Sequence, residues 1–228
     1  MESGERREGQ AMKLVLLGPP AAGKGTQAEM LSREFAVPHV STGEIIRDEI
    51  RRESELGIAA KEGIARGQLL SDEIVCGMVR SWLSNREAAG GFFFDGFPRS
   101  VPQAVELERM LSDLNERIDA VLFIDARREV IESRILGRLQ CPSCGAIFNT
   151  GRDSLQVSDP CPKGPGTLAR RDDDTLEVLE ERLREYEKVT APLVSHYKKG
   201  DLLLEIDGNQ TPETVFAEIT SKLAAVAP

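Results

Sequence analysis

Short, almost wholly apolar runs alternate along this chain with longer stretches whose apolar residues recur every three or four positions. The clearest short runs are residues 13–17 (KLVLL), 91–94 (GFFF), 120–124 (AVLFI) and 202–206 (LLLEI). Runs without polar alternation read as strands buried on both faces. Residues 37–40 form a fifth, weaker candidate. Helical spacing covers 23–35, 72–86, 101–115, 127–139, 174–198 and 212–225. Strand following helix in this way predicts an α/β fold, a five-stranded parallel sheet with helices on both faces. Two segments break the alternation. Residues 41–70 have a helical pattern but no strand, and read as a helical insertion. Residues 139–173 are rich in Pro and Gly with little helical period, and read as a second insertion of short strands and turns. Residues 12–40, 71–138 and 174–228 are then the core. Residues 1–11 are polar and charged, and read as a disordered tail without the apolar stretch of a secretory signal.

A length of 228 residues suits one such core with insertions. With 29 basic and 38 acidic residues the formal net charge is −9, which argues against a nucleic-acid partner. An anionic ligand must therefore meet positive charge gathered locally. No apolar run reaches membrane length, so no membrane partner is expected and a cytoplasmic location is.

The stretch Gly18-Pro-Pro-Ala-Ala-Gly23-Lys24-Gly25-Thr26 joins the first strand to the first helix. Strand, glycine loop and helix form the context of a phosphate-binding loop. The start of a helix leaves N–H groups without partners at its positive dipole end. Gly18 and Gly23 let the backbone curl so that these groups face a phosphate, and Lys24 reaches the outer phosphates. The general motif has Ser or Thr directly after the Lys; here Gly25 intervenes before Thr26.

Asp95-Gly96-Phe97-Pro98-Arg99 follows the GFFF strand. A carboxylate at a strand end beside a phosphate loop suits magnesium or its waters, and equally suits a helix cap. Ser41-Thr42-Gly43-Glu-Ile-Ile-Arg47 opens the helical insertion, with Ser41 or Thr42 placed to cap it. Arg134 and Arg138 are four apart, on one face of the helix expected over 127–139. Arg182 flanks an apolar stripe of Leu176, Leu179, Leu183 and Tyr186. Taken singly, such arginines read as solvated surface groups. Cys141-Pro-Ser-Cys144 has the spacing of a zinc knuckle, with Cys161 further on. A second CxxC would need a Cys where Gly164 stands, so the cluster reads either as a zinc site completed by Asp159, water or a distant group, or as a knuckle held by packing alone. Cys76 lies on an apolar helix face and reads as core.

From Met12 to about Ala225 the sequence resembles the adenylate kinase family, of the long-lid bacterial kind. The motifs are Gly18 to Thr26, Ser41 to Arg47, Asp95 to Gln103, Arg134-Ile-Leu-Gly-Arg138, Arg170-Arg-Asp-Asp173 and Thr190-Ala-Pro-Leu193, in that order. The resemblance implies a P-loop core carrying an AMP-binding insertion and a lid. It implies reversible, magnesium-dependent transfer of a phosphoryl group from ATP to AMP, giving two ADP and serving adenine nucleotide homeostasis and AMP salvage. Monomers are common in the family. By the same resemblance, Ala21, Ala22, Gly23, Lys24, Gly25 and Thr26 hold the ATP phosphates. Arg138, Ile147, Phe148 and Gln210 complete the ATP site. Thr42, Arg47, Gln68, Leu69, Leu70, Gly96, Phe97, Pro98, Arg99 and Gln103 form the AMP pocket. Gln103 bonds to the adenine ring, while Arg47 and Arg99 meet the AMP phosphate. Arg134, Arg170 and Arg182 converge on the phosphates when the lid shuts, and Asp95 orders Mg2+ through water. Zinc-bearing members have a fourth ligand where this chain has Gly164, so Zn2+ at Cys141, Cys144 and Cys161 would be structural and short of one protein ligand. Two rivals are another nucleoside monophosphate kinase, acting on UMP or CMP, and a nucleotide sensor without turnover.

Overall fold

The computed structural model describes residues 12–65, 70–85, 91–171 and 174–226. The expected tail at 1–11 lies outside the described residues, as do Gln68 and Leu69. The chain opens with β1 (Lys13–Leu17), α1 (Lys24–Phe35), β2 (His39–Ser41), α2 (Thr42–Arg51), α3 (Glu55–Ala65) and α4 (Asp72–Asn85). Next come β3 (Phe92–Asp95), α5 (Val101–Asp113), β4 (Ala120–Asp125) and α6 (Arg128–Leu136). β5 (Arg138–Gln140), β6 (Ile147–Asn149) and α7 (Thr150–Asp153) precede α8 (Leu176–Glu185), α9 (Pro192–Lys198), β7 (Leu203–Asp207) and α10 (Pro212–Val226).

Five strands form one parallel sheet in the order β2-β3-β1-β4-β7, as the alternation predicted. Register matters for the site. Leu16 of β1 lies beside Asp95 of β3, which lies beside Ser41 of β2. The carboxyl ends of three strands, each followed by one of the motifs, thus stand at one level.

The apolar runs are continuous because each strand feeds two cores. Side chains alternate across a strand. Val15 and Leu17 of β1, Phe92 and Phe94 of β3, and Val121 of β4 face one core with α4, α5 and α9. Leu14, Leu16, Phe93, Leu122 and Ile124 face the other with α1, α6, α8 and α10. All three phenylalanines of β3 are fully buried, each worth roughly 1.5–3 kcal/mol of transfer free energy. α5 starts where it does because the Ser100 hydroxyl accepts from the Gln103 amide and Pro102 sits in the first turn.

Residues 138–169 fold apart from this sheet. β5 and β6 pair antiparallel, and bridges join Gln140 to Ala169 and Pro160 to Thr167. Leu139, Cys141, Phe148, Cys161 and Leu168 make a small core of their own.

Three expectations need correction. The helix expected to run to residue 139 ends at Leu136, with Gly137 as its cap, and Arg138 begins β5. Arg134 and Arg138 therefore do not share a helix face; four-residue spacing carries no information once a glycine ends the helix. The long helix expected over 174–198 is interrupted: residues 186–190 widen into a π-turn, where the Ala191 N–H reaches Tyr186 O at 2.8 Å, before Pro192 starts α9. Proline lacks the N–H that a continuing α-helix requires. Leu176, expected in the apolar stripe of α8, is exposed, and Leu179 is the buried member.

Candidate active site

The loop between β1 and α1 takes its shape from positions that exclude side chains. Gly18 has φ +143°, and a Cβ there would lie 2.1 Å from the Ile124 carbonyl oxygen. Gly23 has φ +108°, on the left-handed side that glycine adopts without strain. α1 begins at Lys24, so its first N–H groups face the hollow of the loop. The Lys24 ammonium curls inward and donates to Gly18 O and Pro19 O, both at 2.8 Å. Burial lowers its pKa, and the charge of nearby Asp95 partly opposes that shift.

Asp95 ends β3 next to this lysine. Burial alone would raise its carboxyl; the His39 imidazole, 3.6 Å away, together with Lys24 and Arg99 outweighs burial and holds it below its ordinary 3.8. The group is thus an ionised, largely enclosed carboxylate facing the loop. A Cβ on Gly25 would come within 3.3 Å of Asp95 Oδ2. The glycine after Lys24 therefore gives the carboxylate room beside the first turn of α1.

Beyond Asp95 the chain turns sharply through Gly96, at φ +82°. A Cβ on Gly96 would sit 2.9 Å from Thr42 Oγ1 and 3.2 Å from an Arg99 terminal nitrogen, so these three residues enclose one small space. Arg99 Nε donates to Gly96 O at 2.9 Å, and the Arg99 carbonyl accepts from Thr190 Oγ1 at 2.9 Å. Phe97 is fully buried and Pro98 is buried beside it, which anchors the turn. Gln103, also buried, accepts from the Arg99 N–H at 2.7 Å. Leu70 packs against the same core from the end of the helical insertion. Arg47 belongs to α2, with its side chain outside what is described.

Arg134 reaches back from α6 to the loop. It donates to Ala22 O at 2.8 Å, Gly208 O at 2.7 Å and Gln210 O at 3.2 Å. One guanidinium thus ties the phosphate loop to the turn after β7. Arg138 makes a two-point ion pair with Asp174, whose side chain is 1% exposed. In β6, Phe148 points into the small core and Ile147 outward. Arg170 is exposed just after the Gln140–Ala169 bridge, and Arg182 is half-buried on α8.

The sulfur atoms of Cys141, Cys144 and Cys161 lie within 4.8 Å of one another, with Cys144 Sγ and Cys161 Sγ 3.6 Å apart. The Cys144 N–H helps to lower the Cys141 thiol to about 7. Three converging sulfurs, one with thiolate character near neutral pH, fit a thiophilic ion as three of its four ligands. Gly164 lies beside this cluster: a Cβ on it would come within 3.3 Å of Cys144 Sγ.

A family model described as adenylate kinase matches residues 16–202. The chain is 43% identical over 215 residues to an adenylate kinase of Clostridium kluyveri, covering 94% of this chain and 99% of that protein. It is 42% identical to an adenylate kinase of Caldanaerobacter subterraneus subsp. tengcongensis, covering 93% and 96%. The adenylate kinase of Brevibacillus brevis is 43% identical, with 93% and 99% covered. The chain belongs to the adenylate kinase family. In this chain, sequence reading missed several polar partners. Asp174 completes the pair with Arg138, and its only sequence signal is its place directly after the Arg170–Asp173 motif. His39 beside Asp95 and Gly208 beneath Arg134 carry no local signal at all, because parallel-sheet register and a remote turn bring them in.

Proposed function

We propose that this chain catalyses reversible phosphoryl transfer from magnesium-bound ATP to AMP, producing two ADP. The observation that carries this reading is the ionised Asp95 beside Lys24 at the mouth of a phosphate loop, with the Thr42–Gly96–Arg99 space opening from the same strand end. Transfer of this kind proceeds through a loose transition state with charge on the equatorial oxygens, so positioning and electrostatics supply most of the catalysis. The N–H groups from Ala21 to Thr26 bind the outer phosphates of ATP, and Lys24 leaves its carbonyl partners to follow the transferring group. Asp95 would help to hold magnesium, which would offset charge on the phosphates. Thr42, Arg47, Leu70, Gly96, Arg99 and Gln103, with Gln68 and Leu69, bind AMP. Arg99 and Arg47 meet its phosphate. The AMP phosphate is already ionised at neutral pH, so no separate base is required.

Residues 139–173 act as the lid. Arg138, Arg170 and Arg182 bring guanidinium groups to the phosphates, which offsets the repulsion between two anionic nucleotides in a molecule of net charge −9. Ile147, Phe148 and the Gln210 backbone border the ATP base. Zinc at Cys141, Cys144 and Cys161 would brace the lid. No helix among the described residues is long and apolar enough to cross a membrane. The protein works as a cytoplasmic monomer. A coupled assay for ADP with ATP and a panel of monophosphates tests the reading. Turnover with AMP far above UMP and CMP is expected; a pyrimidine preference, or binding without turnover, overturns it.

A further inference from the structure

We propose that Asp72 sets the base preference of the monophosphate site by locking the side-chain amide of Gln103 in one orientation. This rests on the reading above that Gln103 meets the AMP base, and goes beyond it by assigning the group that decides what Gln103 can accept. Asp72 opens α4, 31 residues before Gln103. Its Oδ1 accepts from Gln103 Nε2 at 2.6 Å, and its Oδ2 accepts from Ser100 Oγ at 2.8 Å. On the other end, Gln103 Oε1 accepts from the Arg99 N–H at 2.7 Å. Ser100 closes the ring, because its oxygen also accepts from the Gln103 N–H at 3.3 Å.

These partners permit one orientation. A carboxylate only accepts and a backbone N–H only donates. Turning the amide over would set oxygen against the Asp72 carboxylate and NH2 against the Arg99 N–H. Gln103 is 5% exposed, so water does not rescue the mismatch. An amide oxygen has two lone pairs and an amide nitrogen two hydrogens. One of each is used here, which leaves an oxygen acceptor beside a nitrogen donor for a base. A 6-aminopurine offers the complement, an exocyclic N–H donor next to the N1 acceptor. A 6-oxopurine offers the reverse, an acceptor next to an N1–H donor, and needs the amide turned over. Asp72 touches neither substrate nor reacting atoms in this scheme; it is a positioning residue acting through Gln103.

The test compares AMP with IMP at saturating ATP in the full-length enzyme. Asp72→Ser keeps a residue suited to a helix start and removes the carboxylate that Gln103 Nε2 donates to. The AMP-to-IMP ratio of kcat/KM should fall roughly 10-fold or more, the scale of a two-point base contact. The change should lie mainly in a raised KM for AMP, with the melting temperature reporting the fold. Asp72→Asn keeps a carbonyl for Gln103 and should give an intermediate ratio. Gln103→Leu should lower the ratio at least as far as Asp72→Ser. A ratio that falls in Gln103→Leu but stays parent-like in Asp72→Ser overturns the role of Asp72 alone. Equal loss toward both nucleotides in Asp72→Ser also overturns it, since that is a structural effect. A parent-like ratio in Gln103→Leu overturns the placement of Gln103 at the base, and the proposal with it. Should Asp72→Ser not fold, Asp72→Asn decides: a ratio below the parent's supports the proposal and a parent-like ratio refutes it.

Discussion

At the phosphate loop, Lys24 turns back on Gly18 and Pro19, but the side chains that brace the loop from outside come from distant parts of the chain. Arg134 reaches Ala22, Gly208 and Gln210, and Asp95 meets His39 across two strands. The proposed lid, residues 139–173, is built the other way. Its pairs are mostly local: β5 with β6, three clustered cysteines, and a five-residue buried core. Its contact with α1 includes the Lys163–Glu29 pair at 3.5 Å, exposed on both sides, of a kind worth about 0–1 kcal/mol. The difference teaches how the work is divided. The groups proposed to hold the transferring phosphate are fixed at the ends of the sheet strands. The segment proposed as the lid carries its own packing, so opening it would not expose a core.

The largest effect should come from the loop. Lys24→Ala removes the one cation buried in it, and the rate of ADP formation should fall by roughly 10³-fold or more, the scale seen for other transition-state cations. Circular dichroism and melting should show the fold retained; full activity would break the contrast at its strong end. The proposed lid is tested at its cysteine cluster. Gly164→Cys supplies a fourth thiolate, about a quarter of the 10–16 kcal/mol of a complete site, so zinc affinity should rise roughly 100-fold. Competition against a chromophoric chelator measures this, and no change would show that Gly164 does not face the ion.

A smaller effect is expected at the tie between loop and remote turn. Arg134→Ala leaves three carbonyls without this donor and should cost about 1–3 kcal/mol in urea unfolding. The KM for ATP should rise with it. The mildest effect concerns acid. The folded-state pKa of Asp95 lies below its ordinary 3.8. Its contribution to stability is therefore fully present above that value and is lost as pH falls through the lowered one. Asp95→Asn should flatten the acid limb of a stability–pH curve below about pH 4. An unchanged acid limb would mean that His39 and Lys24 do not hold the carboxylate ionised.

Much of this protein is determined by local order along the chain. Five apolar runs, the intervening helical spacing and a glycine loop before Lys24 identify a parallel sheet with that loop at its carboxyl edge. Strand burial on two faces and helix-start chemistry are short-range matters, and neighbouring residues suffice to express them. Other features depend on elements far apart in sequence meeting in space. That Arg138 leaves the helix of Arg134 and pairs with Asp174 is one; that Asp72 and Arg99 grip the two ends of Gln103 is another. A hydrogen bond is directional and falls away within an ångström, so only the folded backbone decides which donor meets which acceptor.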